Sequence, residues 1–251
     1  MNTSPPGGLK RKLTRFFYAQ LRATPPWASP KSPDIIQSRV LPIASYSPWL
    51  SDRAFGEIHD LIKGNTLVDI YRCHELWELA RQVRGVPGDV LEVGVWQGGT
   101  GCLLARAVAG TGKKVFLADT FTGVAKAGER DTRYTGGEHA DTSEQLVGAL
   151  LARAGVDHAV ILKGMFPETN ADKVSGALAL LHIDVDVYQS ARDVLFWALP
   201  RLSPGAMVVF DDYGFNGCEG VTRLVNEFRK ENAEFHFVHN LNGHALLIRK
   251  A

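Results

Sequence analysis

Five short apolar runs recur through the chain: "GDVLEVGVW", "KVFLADTF", "AVILKGMF", "LALLHIDVD" and "AMVVFDDY", each separated from the next by a stretch of helical character. A strand that packs on one face alternates apolar with polar residues, whereas a continuous run rich in valine, leucine and isoleucine belongs to a strand covered on both faces. Runs of that kind alternating with helices predict an α/β chain built on a doubly wound, mostly parallel sheet. The last segment departs from the pattern. "EFHFVHNLNGHALLIRK" reads as strand, Asn-Gly turn, strand, an antiparallel hairpin at one edge of that sheet.

The region before the runs has another character. Residues 1–55 read as an N-terminal arm, with a helix over 9–22 and then "ATPPWASPKSPD", whose prolines forbid a continuous helix. Residues 56–251 read as one domain that opens with a helix over about 68–84, since 251 residues with 45% hydrophobic content suit a single large core. In the arm, Leu9, Leu13, Phe16, Phe17 and Leu21 fall near helical spacing among basic side chains. Such a helix can rest on an anionic membrane surface, but packing on its own domain or on a sister subunit is the preferred reading, and it favours a homo-oligomer.

Composition removes several classes of function. A formal net charge of +1 supplies no field for nucleic acid. Cys73, Cys102 and Cys218 show no paired spacing, which argues against a disulfide scaffold or a zinc ribbon and fits a reducing, cytoplasmic setting. No run resembles a signal-peptide core or approaches the ~20 apolar residues of a membrane span.

Four of the five runs carry acids at or near their carboxyl ends: Glu92, Asp119, Asp184 with Asp186, and Asp211 with Asp212. Ligands of doubly wound sheets bind at that edge, and a carboxylate buried there costs several kcal/mol unless something pairs with it. A polyhydroxyl or cationic ligand, a metal, or both would supply the partner.

In "LEVGVWQGGTG", glycines 94, 98 and 99 lie between a strand and a helix, where they let a ligand approach the backbone and the free N–H groups of the helix. The spacing E-x-G-x-x-x-G suits a ligand with hydroxyls, an amine and a carboxylate better than a pyrophosphate; a plain tight turn is the other reading. Asp119 follows Glu92 by 27 residues, at the next strand end, where a carboxylate accepts from ribose hydroxyls in dinucleotide and S-adenosylmethionine sites alike, or else caps a helix. "KGMFPET" offers Gly164, Met165 and Phe166 as an adenine wall or as core. Asp211 follows Asp184 by the same 27 residues, and with Asp212 these form an all-oxygen set suited to Mg²⁺. Helix capping, or pairing with Arg192 or Arg223, is the competing account.

With these motifs in place, residues from about 60 to 250 resemble the macrocin O-methyltransferase family, through "GVPGDVLEVGVWQGG", "ADTFTG", "KGMFPET", "HIDVDVYQSARDVL", "LSPGAMVVFDDY" and "GCEGVTRLVNEF" in family order. The resemblance implies a seven-stranded Rossmann-like class I methyltransferase that uses S-adenosylmethionine and Mg²⁺ to methylate a hydroxyl of a sugar or other small molecule. It places Glu92, Gly94, Gly98 and Thr100 against the methionine part of the cofactor and Asp119 against its ribose. Gly164, Met165 and Phe166 would flank the adenine, Ser143 would lie near the adenosine, and Asp184, Asp211 and Asp212 would hold the metal, Asp184 also facing the cofactor. A lid is implied at about 122–143, with Gly136 and Gly137 permitting motion.

The resemblance also exposes a departure. Catechol-type relatives carry a lysine base three positions after the first metal aspartate, and here that position is Val187. Asp184 or the lid's His139 is then the expected proton acceptor. His182 is read as structural or catalytic, and Asp186 as a supporting residue. An NAD-type enzyme and a catalytically silent binding protein are the rival functions; the glycine spacing and the acid trio weigh against both.

Overall fold

In a computed structural model that describes residues 8–40, 44–174 and 176–251, the chain divides into two units, residues 1–46 and 47–251. The smaller unit holds helix α1 (Gly8–Arg22), none of whose residues is buried, and a two-stranded antiparallel pair, β1 (Trp27–Ser29) with β2 (Ser32–Gln37). The proline-rich stretch forms no helix, as expected, but a strand pair. Pro30 falls in the turn, where its fixed φ suits a central position, and Pro33 lies in a strand that has only one partner to bond.

The larger unit begins with α2 (Arg53–Ile62) and α3 (Ile70–Gln82), capped by Asp52 and Asp69, whose carboxylates accept the orphan N–H groups of Phe55 and of Tyr71 and Arg72. Alternating elements follow: β3 (Asp89–Val93), α4 (Gly99–Ala107), β4 (Val115–Asp119), α5 (Glu144–Arg153), β5 (Ala159–Lys163), β6 (Leu178–Ile183), α6 (Tyr188–Ala198), β7 (Leu202–Phe210), α7 (Glu219–Glu231), β8 (Phe235–His239) and β9 (Ala245–Arg249). The seven strands run in the order β5-β4-β3-β6-β7-β9-β8. The first five are mutually parallel, β9 is antiparallel to β7, and β8 to β9, so the doubly wound sheet and its terminal hairpin are as expected. Strand order reverses between β3 and β6, which places the ligand crevice at their carboxyl ends.

Strand residues alternate between two apolar layers. Val90, Leu117, Leu180 and Val209 face the layer containing α2, α3 and α4, while Leu91, Phe116, Leu181 and Phe210 face the layer of α6 and α7. Both layers are needed to cover the sheet, which is why its strands read as unbroken apolar runs. No helix among the described residues is long and apolar enough to cross a membrane.

Candidate active site

The sheet ladder extends one step beyond four of the parallel strands. Gly164 N–H donates to Asp119, Gly94 N–H to Ala118, Asp184 N–H to Val93 and Asp211 N–H to Ile183, each at 2.9–3.0 Å. These bonds set Asp119, Gly94, Asp184 and Asp211 side by side along the carboxyl edge, floor of a cavity of about 340 Å³. Glycine is obligatory at 94: its φ is 90°, and a Cβ there would lie 1.6 Å from the Asp184 carbonyl oxygen.

One side of the cavity is braced by Asp119. Its Oδ2 accepts the N–H groups of Val95 (2.7 Å) and Trp96 (2.9 Å), and its Oδ1 accepts that of Phe121 (2.7 Å). Trp96 and Phe121 sit at φ 46° and 55°, a left-handed region that L residues seldom adopt, and the carboxylate holds both loops there. With three of about four lone-pair positions used, Asp119 keeps one for a ligand hydroxyl. Thr100, Gly164, Met165 and Phe166 also line this side.

The opposite side is acidic. Ligand oxygens of Asp184, Asp211 and Asp212 lie within 4.8 Å of one another. Desolvation, then the charges of Asp211 and Asp212, push the Asp184 carboxyl well above the usual range. Desolvation, with Asp186 and Asp211, does the same to Asp212. Asp211 goes the other way. Burial alone would raise it, but the nearby His182 ring, the hydrogen bond from His244 and the Arg72 guanidinium bring it far below the usual range. The trio is therefore short of positive charge at Asp184 and Asp212, and an all-oxygen donor set with that shortage fits a hard divalent cation.

Asp186 lines the cavity beside them, at φ 64°, its N–H donating to Asp212 Oδ2 at 2.9 Å. The left-handed turn breaks the strand alternation that would have placed it on the face of His182. Burial raises its carboxyl although a hydrogen bond from Tyr134 works against this. His139 lines the cavity from the segment 122–143, its ring 6.0 Å from that of Tyr134. Val187 is fully buried, and among the described residues no lysine lines the cavity.

Three sequence-predicted cofactor residues are not on the cavity wall. Glu92 precedes the last residue of β3, so its side chain points into the α3 and α4 layer; it is 0% exposed and bonds His182 Nδ1, its register partner on β6, at 2.9 Å. Gly98 and Ser143 serve as N-caps, Gly98 for α4 at φ 87° and Ser143 for α5 by accepting from Leu146 N–H. Arg72, His244 and Tyr134, by contrast, were not singled out in the sequence. Arg72 bonds Asp211 from 139 positions away, and no local motif marks such a pair.

Residues 122–143 are tied down along their length. Ser190 Oγ donates to Ala125 O (2.7 Å), Tyr188 N–H to Asp131 Oδ1 (2.9 Å) and Gln97 Nε2 to Asp141 O (2.9 Å), and Thr142 Oγ1 bonds Trp96 O.

The family model described as Macrocin-O-methyltransferase (TylF) matches residues 51–250. The chain is 36% identical over 169 residues to the 8-demethyl-8-(2,3-dimethoxy-alpha-L-rhamnosyl)-tetracenomycin-C 4'-O-methyltransferase of Streptomyces olivaceus, a match covering 61% of this chain and 64% of that enzyme. It is 32% identical over 194 residues to the mycinamicin III 3''-O-methyltransferase of Micromonospora griseorubida, covering 70% and 74%. Among solved structures, the O-methyltransferase NovP superposes with a TM-score of 0.65 at 27% identity, over 74% of this chain and 83% of that one.

Proposed function

Because the chain belongs to the macrocin-O-methyltransferase family, we propose that it transfers the methyl group of S-adenosylmethionine to a hydroxyl of a sugar-bearing small molecule. The observation that carries this reading is the two-sided cavity, with a backbone-braced wall suited to a nucleoside facing a charge-deficient acid cluster. Its volume lies within the range of about 300–1,000 Å³ usual for small-molecule sites. The names of two relatives, a rhamnosyl-tetracenomycin and a mycinamicin methyltransferase, support a glycoside acceptor.

In this reading Asp119 offers its remaining lone pair to the ribose, Gly94 and Thr100 flank the methionine part, and Gly164 to Phe166 form the adenine side. Asp184, Asp211 and Asp212 would hold Mg²⁺, which when bound lowers the pKa of an acceptor hydroxyl and fixes its oxygen. Asp184 is then occupied as a ligand. The proton passes to His139 or to Asp186, which line the same cavity; the raised carboxyl of Asp186 makes it the stronger base of its type. Holding nucleophile and methyl in line supplies the larger part of the rate.

Calorimetry with S-adenosylhomocysteine, with and without Mg²⁺, followed by mass detection of methylated rhamnosides, tests the proposal. Nucleoside binding that tightens with the metal supports it. A chain that binds no S-adenosylhomocysteine under any condition would overturn it.

A further inference from the structure

Asp211 is the member of the acid trio that the protein itself grips on both oxygens. Arg72 bonds Oδ2, and His244 Nε2 lies 2.9 Å from Oδ1, with His182 Nε2 farther away at 3.8 Å. His244 is held in turn: its Nδ1 is 2.6 Å from Glu75 Oε2. That carboxylate also receives Asn242 Nδ2 at 2.7 Å and, on its other oxygen, Asn240 Nδ2.

Two elements thus converge on one side chain. Arg72 and Glu75 are three residues apart on α3 and share a face of the helix, so α3 holds Asp211 directly through Arg72. It also holds it indirectly, through Glu75 and the turn that joins β8 to β9. Both ring nitrogens of His244 face carboxylate oxygens. Turning the ring over would present C–H groups to both, so its orientation is fixed. Each Asp211 oxygen has two lone pairs and spends one on this strap, which leaves the others for a ligand shared with Asp184 and Asp212.

We infer that Glu75 and His244 are positioning residues of the cation site: they touch neither cavity nor acceptor, and they fix the carboxylate of Asp211 for the ion. This rests on the cation reading proposed above. Hydrogen-bond partners behind a metal ligand commonly change metal affinity by ~10–100-fold when removed. A purely structural role would lower thermal stability while leaving the affinity of the folded protein alone.

Mn²⁺ binding followed by electron paramagnetic resonance separates the two, with S-adenosylhomocysteine affinity in metal-free buffer as the check that the fold is intact. Glu75→Ala and His244→Ala should weaken Mn²⁺ by about 10-fold or more, and S-adenosylhomocysteine should bind as in the parent. His244→Gln, whose amide can still donate toward Asp211, should recover most of the loss. Glu75, at the partly exposed end of the strap, gives a readable variant even where the buried histidine cannot be replaced. Unchanged Mn²⁺ affinity in folded Glu75→Ala, with the parent binding the ion, would overturn this inference alone. A parent chain that binds no Mn²⁺ would overturn the cation reading as well.

Discussion

Asp119, at the end of β4, and Asp212, just beyond β7, lie on the same sheet edge, yet the protein treats them in opposite ways. Asp119 accepts three backbone N–H groups from the loops it supports. Asp212 receives one, from Asp186, and otherwise faces other carboxylates, so desolvation and like charge push its carboxyl up. The first acid is satisfied by its own chain and is part of the scaffold. The second, with Asp184, lacks a paired cation in the chain, and in the proposed function a bound ion supplies it. Acidity at a strand end is therefore no guide to role until its partners have been counted.

The sharpest way to break this contrast is at the point where the two sides meet. Gly94→Ala drives a Cβ into the Asp184 carbonyl from a left-handed backbone. It should cost on the order of 4 kcal/mol or prevent folding, read as loss of soluble protein or a collapsed melting temperature. Asp212→Asn acts on the acidic side alone. Methyl transfer should fall by about 100-fold or more, while metal-free thermal stability stays level or rises because a like charge has gone. A large drop in metal-free stability would show that Asp212 is scaffold after all.

Asp119→Ala should do the reverse. It frees three N–H groups and should lower stability by about 2–3 kcal/mol, with a loss of S-adenosylhomocysteine affinity that Mg²⁺ does not restore. The smallest effect belongs to an acid far from the edge. Asp52 caps α2 and accepts from Trp77 Nε1 at 3.1 Å; the Phe55 N–H leads the causes that lower its carboxyl. Its folded value lies below its unfolded one, so its contribution is fully present above the ordinary aspartate pKa and is lost as pH falls through the lowered value. Asp52→Asn should thus differ from the parent by about 1 kcal/mol near pH 6, and in thermal melts the gap should close as pH falls through that lowered value.

The same contrast explains what the sequence discloses. The sheet is legible because strands covered on both faces must be apolar throughout, and Asp184, Asp211 and Asp212 stand out as the acids that follow such runs. Glu92 lies off the cavity wall for a single reason: it sits one residue inside β3, where alternation turns it to the helix layer and to His182 instead of the edge. Gly98 and Ser143 carry the signature of a ligand loop because helix capping asks for the same small and hydroxylated residues. Arg72 reaches Asp211 from α3, and Glu75, on the same helix, does so through His244 in the turn before the last strand. Their meaning arises from topology, which no window of sequence contains. Val187, in turn, is legible as a missing lysine, and its full burial agrees with that.

The fastening of residues 122–143 has a consequence for how such proteins diversify. Several bonds that hold this segment run to or from main-chain atoms: the carbonyls of Ala125, Asp141 and Trp96 and the N–H of Tyr188. Anchors of that kind persist when the side chains between them change. Tyr134 can therefore be exchanged by drift or by a designer while the path of the segment is kept, and under the proposed function the acceptor can change without rebuilding the sheet beneath it.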